Sequence, residues 1–168
     1  MRKILTMLLL TLVASAVYAQ SHVEVFLMDE DGPYTNVRNA PSGKIVDKIP
    51  TSGECELLLT GVKNGWWKIV DNCYTTIDGD VKLKGSATGY WIHYSCVGFA
   101  TRNYGGQRLQ LRAAPSEKAK ATYTFTDEQI LRPVGVKGQW IKVRTIDGRH
   151  EGWIDKSWLC ANPYSNCC

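Results

Sequence analysis

The chain has 168 residues, of which 44% are hydrophobic and 21% charged, and its formal net charge is +4. Setting aside Arg2 and Lys3 in the leading segment leaves +2 with acids and bases interspersed, so no basic face exists to neutralise phosphates and a nucleic-acid partner is excluded. Length allows one domain or two small ones.

At the N-terminus, Arg2 and Lys3 precede an almost unbroken apolar stretch over residues 4–17, and Val17-Tyr18-Ala19 puts small residues where a signal peptidase reads. This predicts a secretory signal peptide over residues 1–19, cleaved after Ala19, and a periplasmic or secreted protein. The residue directly after the cleavage point is Gln20 and not Cys, against a lipoprotein anchor. No later apolar run approaches the roughly 20 residues that cross a bilayer.

Beyond the leader the signals are β throughout. Alternating stretches such as Val23-Glu24-Val25-Phe26-Leu27 and Trp140-Ile141-Lys142-Val143 stand between turn clusters at residues 31–33, 40–43, 63–65 and 147–148. Helical periodicity is absent outside the leader. All six cysteines, Cys55, Cys73, Cys96, Cys160, Cys167 and Cys168, follow the leader, and in an oxidising compartment an even count reads as disulfides. Cys55 and Cys73 flank the turn around Gly61 to Gly65, so a hairpin there would bring them together; closing that loop would contribute about 3 kcal/mol. Cys160 and Cys167 bracket a turn-rich segment and form the second candidate pair, with Cys96 and Cys168 unassigned.

The chain repeats itself. Shifted by 74 positions, residues 32–70 align with 106–144 without a gap and with 13 identities in 39 positions. Among them are Arg38/Arg112, Pro41/Pro115, Gly61/Gly135, Trp66/Trp140 and Lys68/Lys142. About 12 extra residues follow in the first copy, near 75–88, before Trp91-Ile92 resumes the match with Trp153-Ile154. The expected organisation is a first unit over 20–97 and a second over 98–168 with a Cys-rich tail. No Pro/Ser-rich linker separates them, so the units abut.

These residues resemble the bacterial SH3 (SH3b) domain family. Asp29-Glu30-Asp31-Gly32, then Asn36-Val37-Arg38-Asn39-Ala40-Pro41, is similar to the family's opening, and Leu111-Arg112-Ala113-Ala114-Pro115-Ser116 repeats it. Asn64-Gly65-Trp66-Trp67-Lys68-Ile69 and Gly138-Gln139-Trp140-Ile141-Lys142-Val143 are similar to its Gly-Trp strand. Gly89-Tyr90-Trp91-Ile92 and Glu151-Gly152-Trp153-Ile154 are similar to its closing strand. The C-terminal Trp158-Leu159-Cys160 segment also resembles small exported SH3 proteins of Bacteroidetes type. The resemblance implies an all-β fold of two tandem SH3-like small barrels. Units this small bury little core, hence the expected disulfide stabilisation.

An enzyme needs a nucleophile with its base, paired carboxylates or a metal set. His22, His93 and His150 fall in no metal-binding spacing, no Cys segment resembles a protease signature, and neither catalysis nor a cofactor is expected. The tryptophans carry more. Ile141 and Val143 belong on the core face, so strand alternation puts Trp140, and by the repeat Trp66, on the outer face beside a lysine. Such an aromatic either recognises a ligand or packs against the other unit or the insertion. The resemblance implies a groove built from Tyr34, Trp66 and Trp91 in the first copy and Trp140, Trp153 and Trp158 in the second; Trp91 and Trp153 fit the core equally well. Arg38 and Arg112 either brace the turn or meet a ligand carboxylate. The expected function is a non-catalytic, exported binding module for cell-wall (peptidoglycan) stem peptides or an extended peptide segment. The alternative is an interaction or regulatory subunit of another exported protein, such as a cell-wall hydrolase, with the insertion at 75–88 as its contact loop.

Overall fold

The computed structural model describes residues 21–162. The signal peptide and Cys167 lie outside them. Fifteen strands and no α-helix make up the described chain: β1 (Val23–Leu27), β2 (Tyr34–Arg38), β3 (Ile45–Pro50), β4 (Cys55–Lys63), β5 (Trp66–Ile69), β6 (Cys73–Thr76), β7 (Gly79–Lys82), β8 (Trp91–His93), β9 (Val97–Thr101), β10 (Leu109–Arg112), β11 (Ala121–Phe125), β12 (Ile130–Lys137), β13 (Trp140–Thr145), β14 (Glu151–Asp155) and β15 (Leu159–Cys160). Short 3₁₀ turns at Val70–Asn72, Tyr94–Cys96 and Lys156–Trp158 punctuate them.

The strands pair in an order that repeats. β2 lies between β3 and β8, and β8 pairs β5, which pairs β4; in the same way β10 lies between β11 and β14, and β14 pairs β13, which pairs β12. The Asn64-Gly65 dipeptide closes the β4–β5 hairpin with φ of 51° and 79°, the two left-handed residues a tight type I′ hairpin turn requires. The ungapped 74-residue offset does not survive β3 and β11. Val37 faces Asp47 while Leu111 faces Tyr123, and Thr35 faces Ile49 while Leu109 faces Phe125. The turn after Pro115 is therefore two residues longer than the turn after Pro41, and the loop before β12 takes the difference back.

The all-β expectation holds, but neither of the two expected small barrels is closed. The ladder is one continuous fifteen-stranded sheet, and no strand closes it on itself. Closure would require β3 and β11 to return to an inner strand, but each has one ladder neighbour, β2 and β10. Register shifts at Val37/Arg38 and Leu111/Arg112 add local twist there. β3 and β11 cover the core with Ile49 and Phe125 without hydrogen-bonding across it. In the middle of the ladder β1 pairs β9, through Phe26 with Gly98 and Leu27 with Val97, so the two halves share one sheet.

They also share one core. Val25, Val37, Leu59, Trp67 and Ile92 of the N-terminal half and Leu111, Leu131, Ile141 and Val143 of the C-terminal half belong to a single buried cluster. Side chains bridge the joint. The Trp67 indole N–H donates to the Pro133 carbonyl at 3.0 Å, Arg132 Nη1 to the Ser95 carbonyl at 2.6 Å, and Arg144 Nη1 to the Tyr94 hydroxyl at 3.0 Å.

Residues 75–88 form a docked hairpin. β6 adds to β4, β7 adds to β6, and Asp47 Oδ2 accepts from the Lys84 amide at 2.9 Å. Burial raises the Asp47 pKa, but three amides, those of Lys84, Lys48 and Gly85, outweigh it and leave it below the usual carboxylate value. Fully buried Tyr90 stands where the second copy has Gly152, and its hydroxyl accepts from the Ser86 amide at 2.7 Å, pinning the end of the insertion.

The Cys55–Cys73 disulfide is absent: Cys55, Cys73 and Cys96 are free thiols. Leu59 faces Ile69, so an unbroken hairpin would have put Cys55 opposite Cys73. The 3₁₀ turn Val70–Asn72, with Asp71 and Asn72 both at positive φ, consumes residues before β6 begins. Cys55 consequently faces Thr76, and Cys73 faces Lys82. Cys160 is not among the free thiols.

Candidate functional site

Alternation in β5 and β13 decides which aromatics remain available. Trp67, Ile69, Ile141 and Val143 are buried, whereas Trp66 and Trp140 stay half-buried on the opposite, outer face. Trp91 and Trp153 join them there. Lys68 faces Trp91 and Lys142 faces Trp153 across the ladder, and the neighbouring Ile92 and Ile154 fill the core instead.

In the C-terminal half a groove of ≈ 300 Å³ opens between Trp140 and Trp158, with Gln110, Arg112, Glu117 and Asp155 around it. β13 supplies Trp140. The 3₁₀ turn Lys156–Trp158 supplies Trp158, and Asp155 Oδ1 caps that turn by accepting from the Ser157 amide at 2.9 Å. Arg112 Nη1 donates to the Ala119 carbonyl at 2.9 Å, which fixes the guanidinium at the groove's edge. Trp153 does not line the groove. It stands in the next row between Arg112 and Lys142, where the Glu151 carboxylate binds both Lys142 and Arg144 at 2.5 Å. The Lys142 hydrogen bond, with Arg144 adding to it, holds Glu151 below the usual carboxylate range.

The N-terminal half arranges the equivalent residues differently. Arg38, Trp91 and Lys68 form one cross-strand row, and the Arg38 guanidinium lies over the Trp66 ring at 5.5 Å while donating to the Gly43 carbonyl at 2.6 Å. Trp66 packs on His93 with ring centroids 5.1 Å apart. His93 caps the Tyr94–Cys96 turn through Nδ1, as Asp155 caps its counterpart, and burial reinforced by the Arg132 charge lowers its pKa. Tyr34 sits apart at the far end of β2, 52% exposed, with the Lys48 ammonium over its ring at 5.8 Å.

Both arginines thus brace their turns. The residues that the repeat did not single out are the row partners, Glu151, Asp155, Gly89 and His93. Their importance appears only once the ladder register puts them beside Lys142, Trp140, Lys68 and Trp66. Among the described residues no group of three His, Cys, Asp or Glu side chains is placed to hold a metal ion. Also among them, no helix is long and apolar enough to cross a membrane.

Residues 107–159 match the family model of the bacterial SH3 domain. The matched segment contains the whole Trp140–Trp158 groove together with Arg112 and Trp153. No curated protein matches the chain. Among solved structures the chain is similar to the structure of NlpC1 from Trichomonas vaginalis, at 13% identity and a TM-score of 0.32, over 95% of this chain and 51% of that one. The chain spans about half the length of that protein, and so loose a likeness places no residue.

Proposed function

We propose that this protein is an exported, non-catalytic binding module of two SH3-like units, and that it grips an extended peptide, of the kind found in cell-wall stem peptides, in the Trp140–Trp158 groove. The observation that carries the reading is that groove, lined by two half-exposed indoles beside a braced arginine, inside the segment that matches the bacterial SH3 domain. Such domains are typically non-catalytic and usually extracellular or periplasmic, which agrees with a leader removed after Ala19. Indole walls supply apolar contact at little conformational cost, and Arg112, Asp155 and Glu117 supply polar ends for a peptide backbone and its charged termini.

A tryptophan-fluorescence titration of residues 20–168 with defined muropeptides tests this. A saturable change lost in Trp140→Ala and in Trp158→Ala, with unchanged melting, is the expected result. A folded protein that gives no change at millimolar muropeptide ends the stem-peptide reading.

A second reading has its own observation. The β6–β7 hairpin carries Ile77 at its tip, 88% exposed, and Val81 at 40%. An apolar tip on an added hairpin suits a protein partner, as an interaction subunit of another exported protein such as a hydrolase requires. Shortening the hairpin tip should leave muropeptide titrations unchanged under the first reading and abolish partner capture under the second.

A further inference from the structure

The two outer faces share an Arg–Trp–Lys row, Arg38–Trp91–Lys68 and Arg112–Trp153–Lys142, but not the acids beside it. In the C-terminal half Lys142 of this row is neutralised by the Glu151 carboxylate, and Asp155 stands across from Trp140. With Trp91 placed on Trp153, the position of Glu151 falls to Gly89 and that of Asp155 to His93. Both acids are gone. Gly89 adopts φ +101°, and a Cβ there would meet Lys68 Cε at 3.0 Å and Nζ at 3.7 Å. The Lys68 ammonium therefore lies beside the Gly89 backbone and the neutral Asn72 amide, at the place where the other half carries a carboxylate side chain.

Among the described residues neither Lys68 nor Arg38 belongs to an ion pair. Arg38 commits one N–H to Gly43 and one face to Trp66, which leaves the other donors of its fork free. Lys68 is exposed, Trp66 and Trp91 are half-buried, and His93 is pushed toward its neutral form. Two cations thus frame an aromatic surface with no acid between them. That combination favours a planar anion able to accept from an arginine fork and a lysine while its chain lies on indole.

We infer that the face formed by Arg38, Trp66, Lys68 and Trp91 is a second binding site, for a carboxylate of an acidic peptide. The ligand carboxylate sits over Trp91, with Lys68 on one neighbouring strand and Arg38 on the other. The C-terminal half disfavours the same ligand because Glu151 already pairs with Lys142. The site shares no residue with the Trp140–Trp158 groove, so each stands or falls alone.

The test is a titration followed by the indole N–H signals of ¹⁵N-labelled residues 20–168. The probes are acetyl-Ala-Glu-Ala-Glu and its uncharged counterpart acetyl-Ala-Gln-Ala-Gln-amide. The acidic peptide should move the Trp66 and Trp91 signals saturably, and the uncharged one should not. Lys68→Gln, exposed and expected to melt like the parent, should weaken binding about tenfold or more, while Lys68→Arg retains it. Glu151→Gln should expose Lys142 and bring a Trp153 response that the parent lacks, and Trp158→Ala should leave the Trp66 and Trp91 shifts intact. Equal shifts with both peptides, or an unchanged titration in Lys68→Gln, would overturn the site. The same shifts from inorganic phosphate at matched ionic strength would overturn its selectivity for carboxylate.

Discussion

Trp67 is the most informative single position for the coupling between the two halves. Its indole is fully buried in the shared core, and its N–H reaches across the joint to the Pro133 carbonyl at 3.0 Å. Trp67→Phe keeps an aromatic ring but removes that donor and leaves a small void. A buried acceptor deprived of its donor costs about 1–3 kcal/mol, and the lost ring volume adds roughly 1 kcal/mol. The sum, about 2–4 kcal/mol, is a large share of the roughly 5–15 kcal/mol by which a domain is stable. At the size of this chain it lowers Tm by roughly 5–15 °C. Urea unfolding followed by far-UV circular dichroism and by fluorescence should show one transition in the parent and one in the variant, shifted to lower urea with a similar slope. Trp66→Phe, one residue away on the outer face, should cost under about 0.5 kcal/mol. Two separate transitions, or a Trp67→Phe loss no larger than that of Trp66→Phe, would refute the view that the halves unfold as one body.

The free thiols make a second test. Burial, with Glu56 adding, pushes Cys55 up to about 12, and burial with Asp29 adding pushes Cys96 up to about 11. At pH 8 iodoacetamide should therefore label Cys73 first, read by peptide mass spectrometry, and rapid labelling of Cys55 would contradict its burial. Because Cys55 is raised in the folded state, it favours folding fully below the ordinary thiol value of 9.0, and that contribution is lost as pH climbs toward 12. Stability should fall across that window at up to about 1.4 kcal/mol per pH unit from this group, with the fall absent in Cys55→Ala. Gly65→Ala forces a side chain into φ +79° and against the Tyr94 ring at 3.0 Å, and should cost about 1–3 kcal/mol by thermal melting.

What the sequence discloses depends on how local the governing physics is. The inward face of Trp67 and the outward face of Trp66 were legible because period-two alternation is a property of the strand alone. Trp91 was not, since Tyr90-Trp91-Ile92 is apolar throughout and alternation is silent there; the ladder had to show that Tyr90 and Ile92 are buried and Trp91 is not. The Cys55–Cys73 pairing failed for a similar reason. A turn of three residues, two of them left-handed, displaced Cys73 from Cys55, and nothing in Val70-Asp71-Asn72 announces that shift. The sharing of one sheet rests on β1 meeting β9, a contact between residues some seventy positions apart, and no local pattern encodes it. The electrostatic contrast between the halves was equally hidden, because Gly89 and Glu151 acquire meaning only from the lysines opposite.

An open ladder, unlike a closed one, has ends. β3 carries Asp47, Lys48 and Pro50, and β7 carries Asp80 and Lys82, so a strand from another molecule approaching either edge would bury charge or meet a residue without an amide hydrogen. β11, Ala121-Thr122-Tyr123-Thr124-Phe125, has no such guard. At high protein concentration that strand is where two copies of this chain would first join edge to edge, and a single lysine at Thr124 would be the economical way to keep them apart.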